Sequence, residues 1–95
     1  MIIAIDYDGT YAAAPELWDQ VIKLFQEAKH TVICVTGRSD EGVMGTPVKE
    51  SIGKLCPVIF AGGVWKNVAA ENRGYKVNVW IDDMPSMIYR PDKGF

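Results

Sequence analysis

Asp6-Tyr7-Asp8-Gly9-Thr10 follows directly on the apolar run Ile2-Ile3-Ala4-Ile5. Two carboxylates two residues apart, just past a buried strand, can both point into a mouth above a sheet. Gly9 lets the chain turn sharply there. A carboxylate positioned against a metal-bound phosphoryl group is a workable nucleophile toward phosphorus. A second carboxyl beside it can act as general acid and later as base. An acidic turn after a strand, with Asp8-Gly9 as ordinary turn residues, would share these five positions.

Asp82-Asp83 ends a second apolar run, Val77 to Ile81. Adjacent carboxylates repel unless a cation or a lysine offsets them. Mg²⁺ prefers oxygen ligands, few carboxylates and retained waters. A surface loop is the plain alternative. Thr36-Gly37-Arg38 supplies a hydroxyl, a close-approach backbone amide and a cation, which together suit phosphate oxygens. Alone it reads equally well as a turn, with Arg38 in solvent. Lys66 stands one turn into a predicted helix, where an ammonium adds to the positive dipole end and favours a phosphate nearby. A solvated helix lysine would occupy the same position.

These groups need a scaffold that gathers them. Ile2 to Ile5 reads as a buried parallel strand. Pro15 opens a helix, with Glu16 and Asp19 suited to its positive end. Leu17, Trp18, Val21, Ile22, Leu24, Phe25 and Ala28 form a wide apolar stripe at helical period, facing a sheet. Thr31 to Val35 is a second strand, stopping at Thr36-Gly37-Arg38. Ser39 to Gly45 is a polar loop, and Thr46 caps a short helix with Pro47 at its first position, running to about Leu55. Pro57 to Phe60 is a third strand and Val64 to Arg73 a third helix, with Val64, Trp65, Val68 and Ala69 inward and Gly74 as its stop. Val77 to Ile81 is the fourth strand, Pro85 to Tyr89 a helical turn, and the tail from Arg90 is loosely held.

Alternating strands and helices mean an α/β fold with a parallel sheet and right-handed crossovers. Ligands bind beyond the carboxyl ends of such strands. Asp6 with Asp8, Thr36, and Asp82 with Asp83 all fall at strand ends, so one edge of the sheet collects the reactive residues.

Composition sets the outer bounds. The 95 residues make one domain, with a core that is real but thin. Hydrophobic residues are 48% and charged residues 23%, ordinary for a soluble globular chain. No apolar run approaches a membrane span, and MIIAIDYDGT lacks the basic start of a secretory signal. Cys34 and Cys56 sit in or beside apolar runs and read as reduced core residues of a cytoplasmic protein. The net charge is −2, so long-range attraction to nucleic acid is not favoured. Four of the twelve acids lie in the two acidic motifs, and the other eight nearly balance the ten bases. The negative excess belongs to the motifs and suggests a cation.

Together these pieces resemble the haloacid dehalogenase superfamily of aspartyl-phosphate hydrolases, in its short capless form. Its first motif, an apolar strand followed by Asp-x-Asp-Gly-Thr, is present as Asp6 to Thr10. The strand ending in Thr is matched by Ile33 to Thr36, the helix lysine by Lys66, and the strand ending in paired acids by Val79 to Asp83. The match runs from Met1 to about Tyr89.

The resemblance implies a single Rossmann-like three-layer domain with strand order 3-2-1-4. It implies Mg²⁺ held by Asp6, the Asp8 backbone carbonyl, and one or both of Asp82 and Asp83. Asp6 would be the nucleophile and Asp8 the general acid. Tyr7, Thr36, Gly37 and Lys66 would lie at the phosphate, with Tyr11 and Arg38 at the rim of the substrate site. Trp65 is a further rim candidate that suits core packing better. Four carboxylates are then expected to converge, with Lys66 as their offset. Only Tyr11 to Ala14 separates the first motif from its helix, which leaves no room for a cap domain. The site should be open, to a small phosphate ester or to an exposed macromolecular one. A non-catalytic phosphate-ligand or partner-binding module on the same fold is the competing reading.

Overall fold

The computed structural model describes residues 1–91. Of the tail expected to be loose, the part from Asp92 onward lies outside the described residues. The strands are β1 (Ile2–Ile5), β2 (Thr31–Thr36), β3 (Val58–Phe60) and β4 (Val79–Ile81). The helices are α1 (Pro15–Glu27), α2 (Gly42–Lys49) and α3 (Lys66–Asn72). Short 3₁₀ turns cover Tyr11–Ala13, Ile52–Lys54 and Pro85–Met87. All pairings are parallel and the order is β3-β2-β1-β4, the order that the resemblance implies.

The period of two along each strand divides the core into two clusters. Ile3, Ile5, Val32 and Cys34 face one way and pack with Ile22 of α1, Val48 of α2, and Ile52 and Cys56 beyond it. Ala4, Ile33, Val35 and Ile59 face the other way and pack with Ala69 and Ala70 of α3. The result is three layers, with small alanines where α3 approaches the sheet. Both cysteines are free and buried. Burial raises both thiols, that of Cys56 to about 12. Among the described residues no helix is long and apolar enough to cross a membrane.

Three elements depart from expectation. In α1, Ile22 is fully buried and Trp18 and Phe25 pack against the core, but Leu17 and Leu24 are exposed. A four-stranded sheet covered by two helices on that face is too narrow to hide so broad a stripe. The second helix begins at Gly42, not Thr46, so Pro47 lies inside it and 3₁₀ structure follows at Ile52–Lys54. Pro47 has no N–H to give Val43, and Val43 is on the surface, where water can take its carbonyl. The early start rests on Gly45, whose Cβ would stand 2.8 Å from the Asp40 carbonyl carbon. Lys49 then pairs with Asp40 across this turn. Finally α3 begins at Lys66, which leaves Val64 outside it and exposed.

Candidate active site

The parallel register carries the motif acids to one place. Ile5 pairs with Ile81, so Asp6 and Asp82 emerge side by side at the next level. The Asp6 backbone N–H donates to the Ile81 carbonyl at 3.0 Å. The chain then turns at Gly9 with φ of +77°, in the left-handed region that glycine occupies without steric cost. A Cβ on Gly9 would stand 2.1 Å from Asp83 Oδ2, so the missing side chain makes room for that carboxylate. Thr10 donates its hydroxyl to Asp83 Oδ1 at 3.4 Å. The Met84 backbone N–H donates to Asp82 Oδ1 at 2.8 Å.

Lys66 comes from the opposite layer, at the first residue of α3. Its ammonium donates to Asp6 Oδ1 at 2.8 Å and to Asp82 Oδ2 at 2.6 Å. All three side chains are nearly covered in these ion pairs. Burial pushes the Asp6 carboxyl up to about 6 despite the pull of Lys66, and the neighbouring Asp83 adds to the rise. Burial opposes the charge of Lys66, but its bonds to Asp6 and Asp82 outweigh that and raise its pKa.

Asp6, Asp82 and Asp83 each offer a carboxylate oxygen, and these oxygens lie within 4.8 Å of one another. The donors are hard oxygens gathered beside a cavity of about 150 Å³. That set suits a small divalent cation such as Mg²⁺.

The fourth expected carboxylate, Asp8, lines the same cavity but stands outside the oxygen cluster. Asp8 is exposed, and its side chain is gripped by Arg38, with Nε to Oδ2 at 2.9 Å and Nη2 to Oδ1 at 2.8 Å. This fork holds the Asp8 carboxyl below its usual range. Arg38 is itself fixed, donating Nη1 to the Met44 carbonyl at 2.9 Å and lying 5.0 Å from the centre of the Tyr7 ring. Among the described residues three carboxylates therefore cluster, not four, and Lys66 bridges two of them, Asp6 and Asp82. A guanidinium that matches carboxylate geometry bidentately has drawn the other aside.

The remaining candidates divide. Asp8 and Gly37 line the cavity together with the three acids and Lys66. Thr36 is fully buried, and its hydroxyl accepts the Arg38 backbone N–H at 3.2 Å, which shapes the Gly37 turn. Tyr7 packs against the core with its ring stacked 6.1 Å from that of Tyr11. Tyr11, expected at the rim, is 3% exposed and donates its hydroxyl to Asp19 at 2.6 Å. Its place in a 3₁₀ turn directs the ring inward under α1. Met84 and Met87 complete the cavity wall, and neither was singled out in the sequence. Their spacing of three, just past the acid pair, was the available signal. Thr10 was likewise read only as a motif member, not as the donor that steadies Asp83.

Comparison with protein-family models, with curated proteins and with solved structures gives no match for this chain, so its function is read from this geometry.

Proposed function

We propose that this chain is a Mg²⁺-dependent phosphohydrolase of the haloacid dehalogenase type, acting on a phosphate monoester through an aspartyl phosphate on Asp6. The observation that carries the reading is the buried Lys66 ammonium bridging Asp6 and Asp82, beside the oxygen cluster of Asp6, Asp82 and Asp83. Asp6, Asp82 and Asp83 would hold the cation. When bound, Mg²⁺ supplies charge neutralisation to the phosphoryl oxygens.

The chain's own residues do the rest. Lys66 holds Asp6 by Oδ1 and keeps it aimed at the cavity. The Asp6 carboxylate forms a bond to phosphorus as the ester P–O bond breaks, and the leaving oxygen takes a proton. Water then adds to phosphorus, the bond to Asp6 breaks, and inorganic phosphate departs. Asp8 is the group that gives the first proton and takes the second, which requires it to leave Arg38. Gly37 and Lys66 meet the phosphate. The open cavity admits small esters or exposed macromolecular ones, and the net charge of −2 does not favour nucleic acid. Free, buried Cys34 and Cys56 support a reducing, cytoplasmic setting.

The test is release of phosphate from p-nitrophenyl phosphate with and without Mg²⁺, against Asp6→Asn as control. Mg²⁺-dependent release by wild type alone is expected. Phosphate binding without release above the control would replace this reading with a non-catalytic phosphate-binding module.

A further inference from the structure

A second cavity, of about 130 Å³, adjoins the acidic one. It is lined by Gly62, Gly63, Val64, Trp65 and Met87. Met87 also lines the acidic cavity, so the two share a wall. The chain joins them as well, because Trp65 of the second cavity precedes Lys66 of the first. Their two sides are tied by the Asn67 backbone N–H, which donates to the Ile88 carbonyl at 3.0 Å. Ile88 is buried and anchors the turn that carries Met87.

Among the described residues the lining holds no charged side chain, and the indole N–H is its only polar side-chain group. Val64 and Met87 are each 49% exposed, and Met84, which lines the acidic cavity with Met87, is 57% exposed. Met84 and Met87 therefore stand partly in water at the wall of the carboxylate cavity, and Val64 and Met87 at the wall of the second one. An indole face and a thioether favour an aromatic ring. An apolar cavity of roughly 150 Å³ takes one benzene, so this one offers a six-membered ring a place to sit, open to solvent on its outer side.

We propose that this cavity is the leaving-group subsite, and that the substrates are phosphate monoesters of single-ring phenols. The inference rests on the phosphohydrolase reading and adds the substrate class. In the step concerned, the bond between phosphorus and the phenolic oxygen breaks as the bond to Asp6 forms. The phenol leaves with a proton taken from Asp8 or from water. A second observation agrees with this leaving group. Both Asp8 oxygens are engaged by Arg38, so the proton donor is turned aside. A phenol needs little proton donation in the transition state, while an alkyl alcohol needs much.

The experiment compares phenylphosphonate with methylphosphonate by calorimetry in the presence of Mg²⁺. Neither is hydrolysed, so leaving-group acidity plays no part. Wild type is expected to bind the phenyl compound about tenfold more tightly. That preference should fall to within about twofold in Val64→Ser, whose side chain is exposed, and in Trp65→Ala. A wild-type ratio near one, or a ratio that survives both substitutions, overturns the subsite and leaves the phosphohydrolase reading standing. Failure of both phosphonates to bind overturns the phosphate site and the subsite together. Turnover of phenyl phosphate against a phosphotyrosine peptide then distinguishes a free phenol ester from one carried on a protein. Either one outpacing an alkyl phosphate agrees with the proposal, while an alkyl phosphate turned over as fast as both contradicts it.

Discussion

At the residue scale, the site is set by one ammonium between buried carboxylates. Asp6→Asn keeps the shape but removes the nucleophile, and kcat should fall by far more than tenfold, the factor that corresponds to about 1.4 kcal/mol. The same change reports on Asp6's charge. Its folded pKa is raised to about 6 from an ordinary value of 3.8, so folding takes up a proton between those values. The stability from that proton is complete below pH 4 and is lost as pH rises through 6. Without Mg²⁺, Asp6→Asn should therefore be the more stable protein at pH 7.5, on the order of 2 kcal/mol, with the gap closing toward pH 4. Denaturant melts at the two pH values check the sign. Lys66→Met should do the opposite. It leaves Asp6 and Asp82 buried without a cation, which costs roughly 3–5 kcal/mol near neutral pH. A loss under 1 kcal/mol at pH 7.5 would mean that the ion pairs matter little.

Asp8 calls for a kinetic measurement. Asp8→Asn cannot give a proton to the leaving oxygen or take one from water. With an aryl phosphate, phosphorylation of Asp6 should suffer modestly and phosphoenzyme should accumulate, seen as a burst and then slow turnover. With an alkyl phosphate the first step should lose the ~10²–10⁴-fold typical of general acid catalysis. Equal losses on both esters, with no burst, would assign Asp8 another role, the obvious one being to hold Arg38.

At the scale of elements, the turn after β1 is the most constrained piece of the site. Gly9 combines a φ of +77° with a Cβ position 2.1 Å from Asp83 Oδ2. Gly9→Ala would pay left-handed strain of about 1–2 kcal/mol and would also push Asp83 from the oxygen cluster. Mg²⁺ affinity, measured by calorimetry, should fall by tenfold or more, beyond what the strain does to stability alone. Unchanged affinity would show that Asp83 lies outside the metal site. The 3₁₀ turn at Pro85–Met87 has a parallel role on the other side. Its bond to α3 through Asn67 places two methionines at the mouth.

At the scale of the whole molecule, the Cα radius of gyration is 12.6 Å, close to the ~13 Å of a compact chain of about 100 residues. With so little core, the acid cluster weighs heavily on stability. Mg²⁺ binding only the folded form should add about 2.7 kcal/mol at a hundredfold excess over Kd. Because Asp6 must lose its proton to ligate, the rise in Tm on adding Mg²⁺ should be large at pH 7.5 and shrink as pH falls through 6. A shift independent of pH between 5 and 7.5 would remove Asp6 from the metal ligands, and no shift at tens of Kd would remove the site.

Residues near in sequence settled the α/β class and the strand-end acids. Apolar runs of four to six residues and a 3.6-residue stripe are local patterns, and a parallel sheet must end its strands at a common edge. Asp6 was legible for the same reason, while Lys66, which by position alone reads equally well as a solvated helix lysine, was singled out by the family resemblance. Local pattern was silent about contacts between distant segments. The Arg38 fork on Asp8 spans thirty residues, and the Lys66 bridge from Asp6 to Asp82 joins three elements. The inward turn of Tyr11 depends on Asp19 across a bend, and the exposure of Leu17 and Leu24 on how wide the sheet became. Each depends on distances that the chain acquires only when its layers pack, which is why Lys66 bridges two of three clustered carboxylates while the fourth is held by a guanidinium.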